Sequence, residues 1–170
     1  VIFDEVQCGI ARTGKLFGYN HFDVNPDIVT LAKGLGAGLP IGAILCNKKT
    51  SSVFNPGDHG STFGGNPVSC AGAIVVLDEI CNSKTYASVE KKGELVKTLL
   101  NNSSSSKIKE IRGKGLILGI EIEGSSSEVQ KKAVEKGLLV LTAGPNVIRL
   151  LPPLIISEDE LSDGRSEEHT

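Results

Sequence analysis

Asp4, Lys33 and Thr62 are evenly spaced along this chain, and each ends an apolar run or stands in a glycine-bordered loop. Lys33 closes the run Ile28-Val29-Thr30-Leu31-Ala32 and is followed at once by Gly34-Leu35-Gly36-Ala37-Gly38. Removing an ammonium from water is costly unless its charge is lost or paired. A partly desolvated lysine is readily deprotonated and can condense with a carbonyl. The plainer alternative is a strand-end lysine whose head reaches solvent. Asp4, followed by Glu5, ends the run Val1-Ile2-Phe3. An acid at the carboxyl end of a buried parallel strand is placed to touch a ligand, or it serves a turn or helix cap. Ser61 and Thr62 precede Asn66-Pro67, which reads as a helix N-cap followed by a first-turn proline. Hydroxyls before a helix N-terminus make an anion site, or only a good helix start, and the sequence leaves both open.

The elements that must hold these residues follow from pattern. Three short apolar runs, 1–4, 28–32 and 41–46, read as buried strands, and the first is expected inside a parallel sheet covered on both faces. A chain opening in the middle of such a strand, without methionine, is expected to be a piece of a larger protein. Between the first two strands lies the irregular loop Cys8-Gly9-Ile10-Ala11-Arg12-Thr13-Gly14, then aromatics from Phe17 to Phe22 and a turn at Asn25-Pro26. The glycines after Lys33 do not make a nucleotide loop. In a P-loop the lysine follows the last glycine, and in a dinucleotide fold the glycines open a helix rather than a strand.

Residues 68–81 have helical period. Beyond residue 82 the character changes: 84–100 form a charged amphipathic helix, and 101–106 a polar low-complexity loop. Ile108, Ile111 and 115–122 are predicted to give one long strand. A second helix spans 125–136 and ends at Gly137. Leu138 to Thr142 and Val147 to Leu151 are predicted as strands around Ala143-Gly144-Pro145-Asn146. This β-α-β-β run suggests a separate small α/β module. Ser157-Glu158-Asp159-Glu160 has the form of a capping box, but the helix it should start is expected to be missing, because Asp163-Gly164-Arg165 follows.

Composition bounds the rest. Of 170 residues, 39% are apolar and 22% charged, with net charge −2, which fits a globular protein and offers no basic surface for nucleic acid. No apolar run approaches the roughly 18–20 residues of a membrane span, and no signal peptide opens the chain. Four separated cysteines with few histidines give no zinc pattern, so no metal is expected and the thiols are read as reduced, in an intracellular protein.

Together, Asp4-Glu5-Val6-Gln7, Ala32-Lys33-Gly34-Leu35, Gly38-Leu39-Pro40-Ile41-Gly42-Ala43 and Gly60-Ser61-Thr62-Phe63-Gly64-Gly65-Asn66-Pro67 closely resemble the class III pyridoxal-phosphate aminotransferases. The resemblance runs from residue 1 to about 162. Gly57 to Thr62 and Leu141-Thr142-Ala143-Gly144 look most like the branch acting on N2-acetylornithine, with the ornithine branch next. The fold class it implies is α/β. Residues 1–82 would be the C-terminal part of a fold type I large domain with a mostly parallel sheet, and 83–163 a smaller α/β C-terminal domain. Residues 164–170 are expected to be a non-native or disordered tail, since 165–170 match the translation of a common sequencing adapter.

By the same resemblance, Lys33 would carry pyridoxal 5'-phosphate covalently and shuttle a proton. Asp4 would pair with the ring nitrogen from a buried position, and Gln7 would donate to the phenolic oxygen. The stretch Asp4, Glu5, Val6 and Gln7 as a whole, with Lys33 and Thr62, is the cofactor-binding set. Thr62 would reach the cofactor phosphate of a neighbouring subunit, which implies a homodimer with shared active sites. Ser61 would touch substrate, and Arg149 would hold the substrate α-carboxylate by a two-pronged fork, unless it pairs a surface acid instead. Amino-acid and 2-oxo-acid substrates are implied, with no nucleic acid and no membrane. The expected reaction moves the δ-amino group of N2-acetylornithine to 2-oxoglutarate in arginine biosynthesis. Ornithine, succinylornithine and 4-aminobutyrate are the alternatives in the family, and a non-catalytic homologue or interaction fragment is the alternative outside it. Cytoplasm, mitochondrion and plastid fit equally. The family's N-terminal half of the site has no counterpart here, so the chain alone is expected to bind cofactor poorly.

Overall fold

A computed structural model describes residues 1–103 and 105–166 of the chain. Two compact units, Val1–Tyr86 and Ala87–Thr170, divide it.

The first unit is built on a three-stranded sheet of β1 (Ile2–Asp4), β2 (Ile28–Leu31) and β3 (Ala43–Cys46). β1 and β2 are parallel, pairing Ile2 with Ile28, Phe3 with Val29 and Asp4 with Thr30, whereas β3 runs antiparallel to β2. Within this unit the sheet is therefore mixed rather than mostly parallel. The turn Gly36–Gly42 brings the chain directly back beside β2, which only an antiparallel pairing permits. Order β1-β2-β3 also leaves β1 at an edge with Ile2 66% exposed, not covered on both faces as its apolar character predicts. The core of the unit joins Val29, Leu31 and Leu35 to Ile10 from the long β1–β2 loop and to Ala73 and Val76 of α2 (Pro67–Ile80). A short helix, α1 (Lys48–Ser51), follows β3 and is capped by Asn47. Tyr19 of the loop stacks between Phe17 and Phe3 of β1, with ring centroids 5.2 and 5.8 Å away.

α3 (Ser83–Asn101) leads into the second unit. There β4 (Ile108–Lys114), β5 (Ile117–Ile122), β6 (Leu141–Thr142) and β7 (Val147–Leu150) form an antiparallel sheet of order β4-β5-β7-β6, with α4 (Ser126–Glu135) between β5 and β6. The predicted long strand is a hairpin. Gly115 adopts φ +52°, a left-handed conformation that reverses the chain, so the module is β-β-α-β-β rather than β-α-β-β. Strand character extends through both arms, which is why alternation alone does not locate the turn. The strand predicted from Leu138 shortens to Leu141–Thr142 because Leu138 instead closes the end of α4, its amide bonded to Ala133 O. Val96 and Leu100 of α3 pack on Leu118, Ile120, Ile122 and Ile148 as the core.

The last helix is not missing: α5 spans Glu158–Ser166. Its capping box is closed, with Ser157 N and Oγ both donating to Glu160 Oε2 at 2.8 Å and Glu160 N donating to Ser157 Oγ at 3.1 Å. These reciprocal bonds outweigh the poor helix propensity of Gly164. Residues 164–166 of the expected tail thus belong to a helix, and 167–170 lie outside the described residues. No helix among the described residues is long and apolar enough to cross a membrane.

Candidate functional site

β1 and β2 deliver Asp4 and Lys33 to the carboxyl ends of two adjacent parallel strands, the edge at which open α/β sheets bind ligands. Asp4 itself is exposed. Its Oδ1 accepts two bonds, from Val6 N at 3.0 Å and from Thr30 Oγ1 at 3.1 Å. Oδ2 accepts none among the described residues. One oxygen thus fixes the carboxylate to the fold while the other stays open to a donor. Val6 takes part through its amide, whereas the Gln7 side chain is exposed and makes no hydrogen bond among the described residues.

The buried acid of the pair is not Asp4 but Glu5, which is 3% exposed. Its Oε2 accepts Gly18 N at 2.8 Å and its Oε1 accepts Tyr19 N at 2.9 Å. Successive strand residues face opposite ways, so Asp4 and Glu5 cannot both be turned to the same ligand. Cys8 lies beside Glu5. Burial, then the hydrogen bond and charge of Glu5, push its thiol up to about 12. All four cysteines are unpaired.

Lys33 sits where β2 ends and a single 3-10 turn (Lys33–Leu35) begins. Ala32 is still extended, and Lys33 itself has φ +45°. For a non-glycine residue that conformation costs about 1–2 kcal/mol and must be imposed by its surroundings. Two backbone bonds hold the turn, Leu35 N to Ala32 O and Gly36 N to Lys33 O, both 3.0 Å. The amine is exposed and has no hydrogen bond or ion pair among the described residues. The chain itself therefore does not desolvate Lys33.

Ser61 and Thr62 are both exposed in the loop before α2 and bond to none of Asp4, Gln7 or Lys33 among the described residues. Asn66 caps α2 as expected, accepting Val68 N at 3.0 Å and Ser69 N at 3.3 Å, with Pro67 in the first turn.

Arg149 lies on β7 in the second unit, opposite Gly119 of β5 on one side and Leu141 of β6 on the other. Gly119 in turn faces Arg112 of β4, so the two arginines share one face of the sheet with a glycine between them. Arg112 is committed, bonding Glu110 and Glu121 at 2.6 and 2.7 Å. Arg149 has no acid partner among the described residues.

A ring carrying a protonated nitrogen and an aldehyde suits this donor set. Asp4 has an open carboxylate oxygen for the ring N–H, and Lys33 an unengaged amine for the carbonyl. Thr30 as the support of Asp4 is not legible in the sequence, because a threonine in an apolar run reads as ordinary strand propensity. Glu5, expected in the cofactor-binding set, turns its carboxylate to the loop amides. The only sequence signal for its separate role is the strand alternation.

The family profile described as Aminotransferase class-III matches residues 1–167. An acetylornithine aminotransferase of Caldanaerobacter subterraneus subsp. tengcongensis is 52% identical over 165 residues, covering 95% of this chain and 42% of that protein. The crystal structure of acetylornithine aminotransferase from Elizabethkingia anophelis superposes with a TM-score of 0.90 at 41% identity, over 99% of this chain and 44% of that one. An ornithine delta-aminotransferase of Plasmodium falciparum superposes at 0.89 with 36% identity, over 98% and 44%. The chain thus spans less than half the length of these relatives.

Proposed function

The chain belongs to the class III aminotransferases, and from that premise we propose that it is the lysine-bearing part of a transaminase that moves the δ-amino group of N2-acetylornithine to 2-oxoglutarate. The observation supporting this most directly is that Asp4, with Oδ2 accepting no bond among the described residues, and Lys33, with no amine partner among them, stand at the carboxyl ends of two adjacent parallel strands. The similarity to the acetylornithine enzymes of Caldanaerobacter and Elizabethkingia supports the choice of donor.

The residues divide the work. Asp4 would hold the ring nitrogen of pyridoxal 5'-phosphate in its protonated form, and Gln7 would donate to the phenolic oxygen. When bound, the cofactor supplies an electron sink for a substrate carbon that loses a proton. Lys33, the covalent carrier, would accept and release that proton at Nζ, which requires the neutral amine. The strained turn at Lys33 fixes where the side chain departs from the backbone. Thr62 would bind the phosphate of the partner subunit's cofactor, with Ser61 on the substrate. Arg149 would clamp the α-carboxylate through two parallel N–H bonds. In this reading residues 1–82 belong to the large domain, 83–163 form the small domain, and the enzyme works as a homodimer.

A second reading, ornithine as donor, has support in the similarity to the Plasmodium falciparum enzyme. A panel of N2-acetylornithine, ornithine, succinylornithine and 4-aminobutyrate, each with 2-oxoglutarate and the full-length protein, separates the two. The expected outcome is a kcat/KM for acetylornithine at least about tenfold above ornithine, a difference of about 1.4 kcal/mol in transition-state binding. A preference for ornithine would replace the first reading, and no transamination with any donor would remove both.

A further inference from the structure

We infer that Glu5 is a positioning residue for Lys33: it ties the long β1–β2 loop beneath the Lys33 turn and makes no contact of its own with the cofactor. Lys33's role as cofactor carrier rests on the function proposed above, but the mechanical link does not.

The link can be followed atom by atom. Glu5 is 3% exposed, and both carboxylate oxygens are taken by backbone amides 13 and 14 residues further on, Gly18 N and Tyr19 N. A carboxylate so buried, with both oxygens turned to backbone amides, serves the loop. The near end of the loop is fastened as well, because Gly9 N donates to Glu5 O at 2.8 Å. A Cβ on Gly9 would lie 2.7 Å from Glu5 O and 3.2 Å from Leu31 Cδ2, so the loop runs hard against the strand that ends in Lys33. Held at both ends, Ile10 and Ala11 take left-handed conformations, φ +53° and +64°, although 3% and 0% exposed. A β-branched residue adopts such a φ only when its neighbours over-determine it. Ile10 then packs in one cluster with Leu31 and Leu35, the residues bracketing Lys33, and a Cβ on Gly34 would lie 3.6 Å from Ile10 Cβ. Lys33, also left-handed, lies between Leu31 and the Gly34–Leu35 pair that Ile10 meets. The path from Glu5 to Lys33 therefore runs through a strained loop rather than through a ligand.

Glu5→Gln keeps the shape but replaces one acceptor with a donor facing an N–H. In the full-length protein without cofactor, amide exchange should accelerate about tenfold both in residues 16–22 and in residues 31–36, while α3 is unchanged. The pyridoxal 5'-phosphate Kd should rise about three- to tenfold, and the pH midpoint of the bound absorption band should stay put, because Asp4 is intact. Faster exchange in 16–22 alone would overturn the inference, since Glu5 would then hold only its loop. A moved pH midpoint with unchanged exchange would overturn it too, as the mark of direct contact. Should Glu5→Gln not fold, Gly18→Ala decides on the same two segments: its Cβ would lie 3.2 Å from Glu5 Oε2 and press the bonded amides apart. A protein that binds no cofactor still reports through exchange, which keeps a failure of the proposed function distinct from a failure of this link.

Discussion

Thr30 Oγ1 donates to Asp4 Oδ1 at 3.1 Å across the parallel β1–β2 pair, in which the two residues are direct register partners. The strand that carries Lys33 at its end thereby also orients the acid that would face the cofactor ring, so one element sets both groups. A hydrogen bond to a charged acceptor contributes about 1.5–3 kcal/mol, and less at an exposed pair. Thr30→Val in the full-length protein should weaken pyridoxal 5'-phosphate binding about three- to tenfold by titration of the visible absorption, with Thr30→Ser close to wild type. A loss in Thr30→Ser with Thr30→Val close to wild type would mean that the methyl group, not the hydroxyl, matters.

Lys33→Ala should abolish the covalent adduct that borohydride reduction traps in the full-length protein, read as a mass shift on the peptide spanning residues 28–36. The fold should survive, because the Lys33 side chain makes no hydrogen bond or ion pair among the described residues. A retained adduct at another lysine would transfer the carrier role.

Arg149→Lys keeps the charge but loses the planar fork. KM for the amino donor should rise by about 10- to 100-fold, with pyridoxal 5'-phosphate affinity within about twofold of wild type. Because Arg149 is uncommitted while Arg112 is engaged by Glu110 and Glu121, Arg112→Lys should affect stability more than KM. Steady-state kinetics and thermal melts on the two variants check the contrast.

Cys8 should resist alkylation. The thiolate is the reactive form, and a thiol pushed up to about 12 by burial and by Glu5 stays protonated at pH 8. Its iodoacetamide labelling should run about a hundredfold or more slower than that of a free cysteine. Glu5→Gln removes the neighbouring anion, lowers the Cys8 pKa and should speed labelling. Peptide mass spectrometry over time gives both rates, and fast labelling of the unaltered protein would contradict the burial described here.

Much of the site was legible because its chemistry is written in short segments. A lysine before a glycine loop, an acid at a strand end, Asn66-Pro67 at a helix start and the Ser157-to-Glu160 box each depend on neighbours within a few residues. Two places where expectation failed turn on how the chain reverses. β3 had to be antiparallel because of its short connection to β2, and the arms of the β4–β5 hairpin looked like one strand until Gly115 was seen at φ +52°.

The sequence by itself determined which residue types could react and the local frames that present them, since residue type and short-range spacing mark a candidate nucleophile and acid and place cap and turn. Only the tertiary structure decided which of two adjacent acids faces outward, that Thr30 braces Asp4, and that the loop held by Glu5 reaches Lys33 through Ile10. Alternation and turn length along the chain constrain register, but burial and the partner each side chain meets depend on groups that come together only after folding.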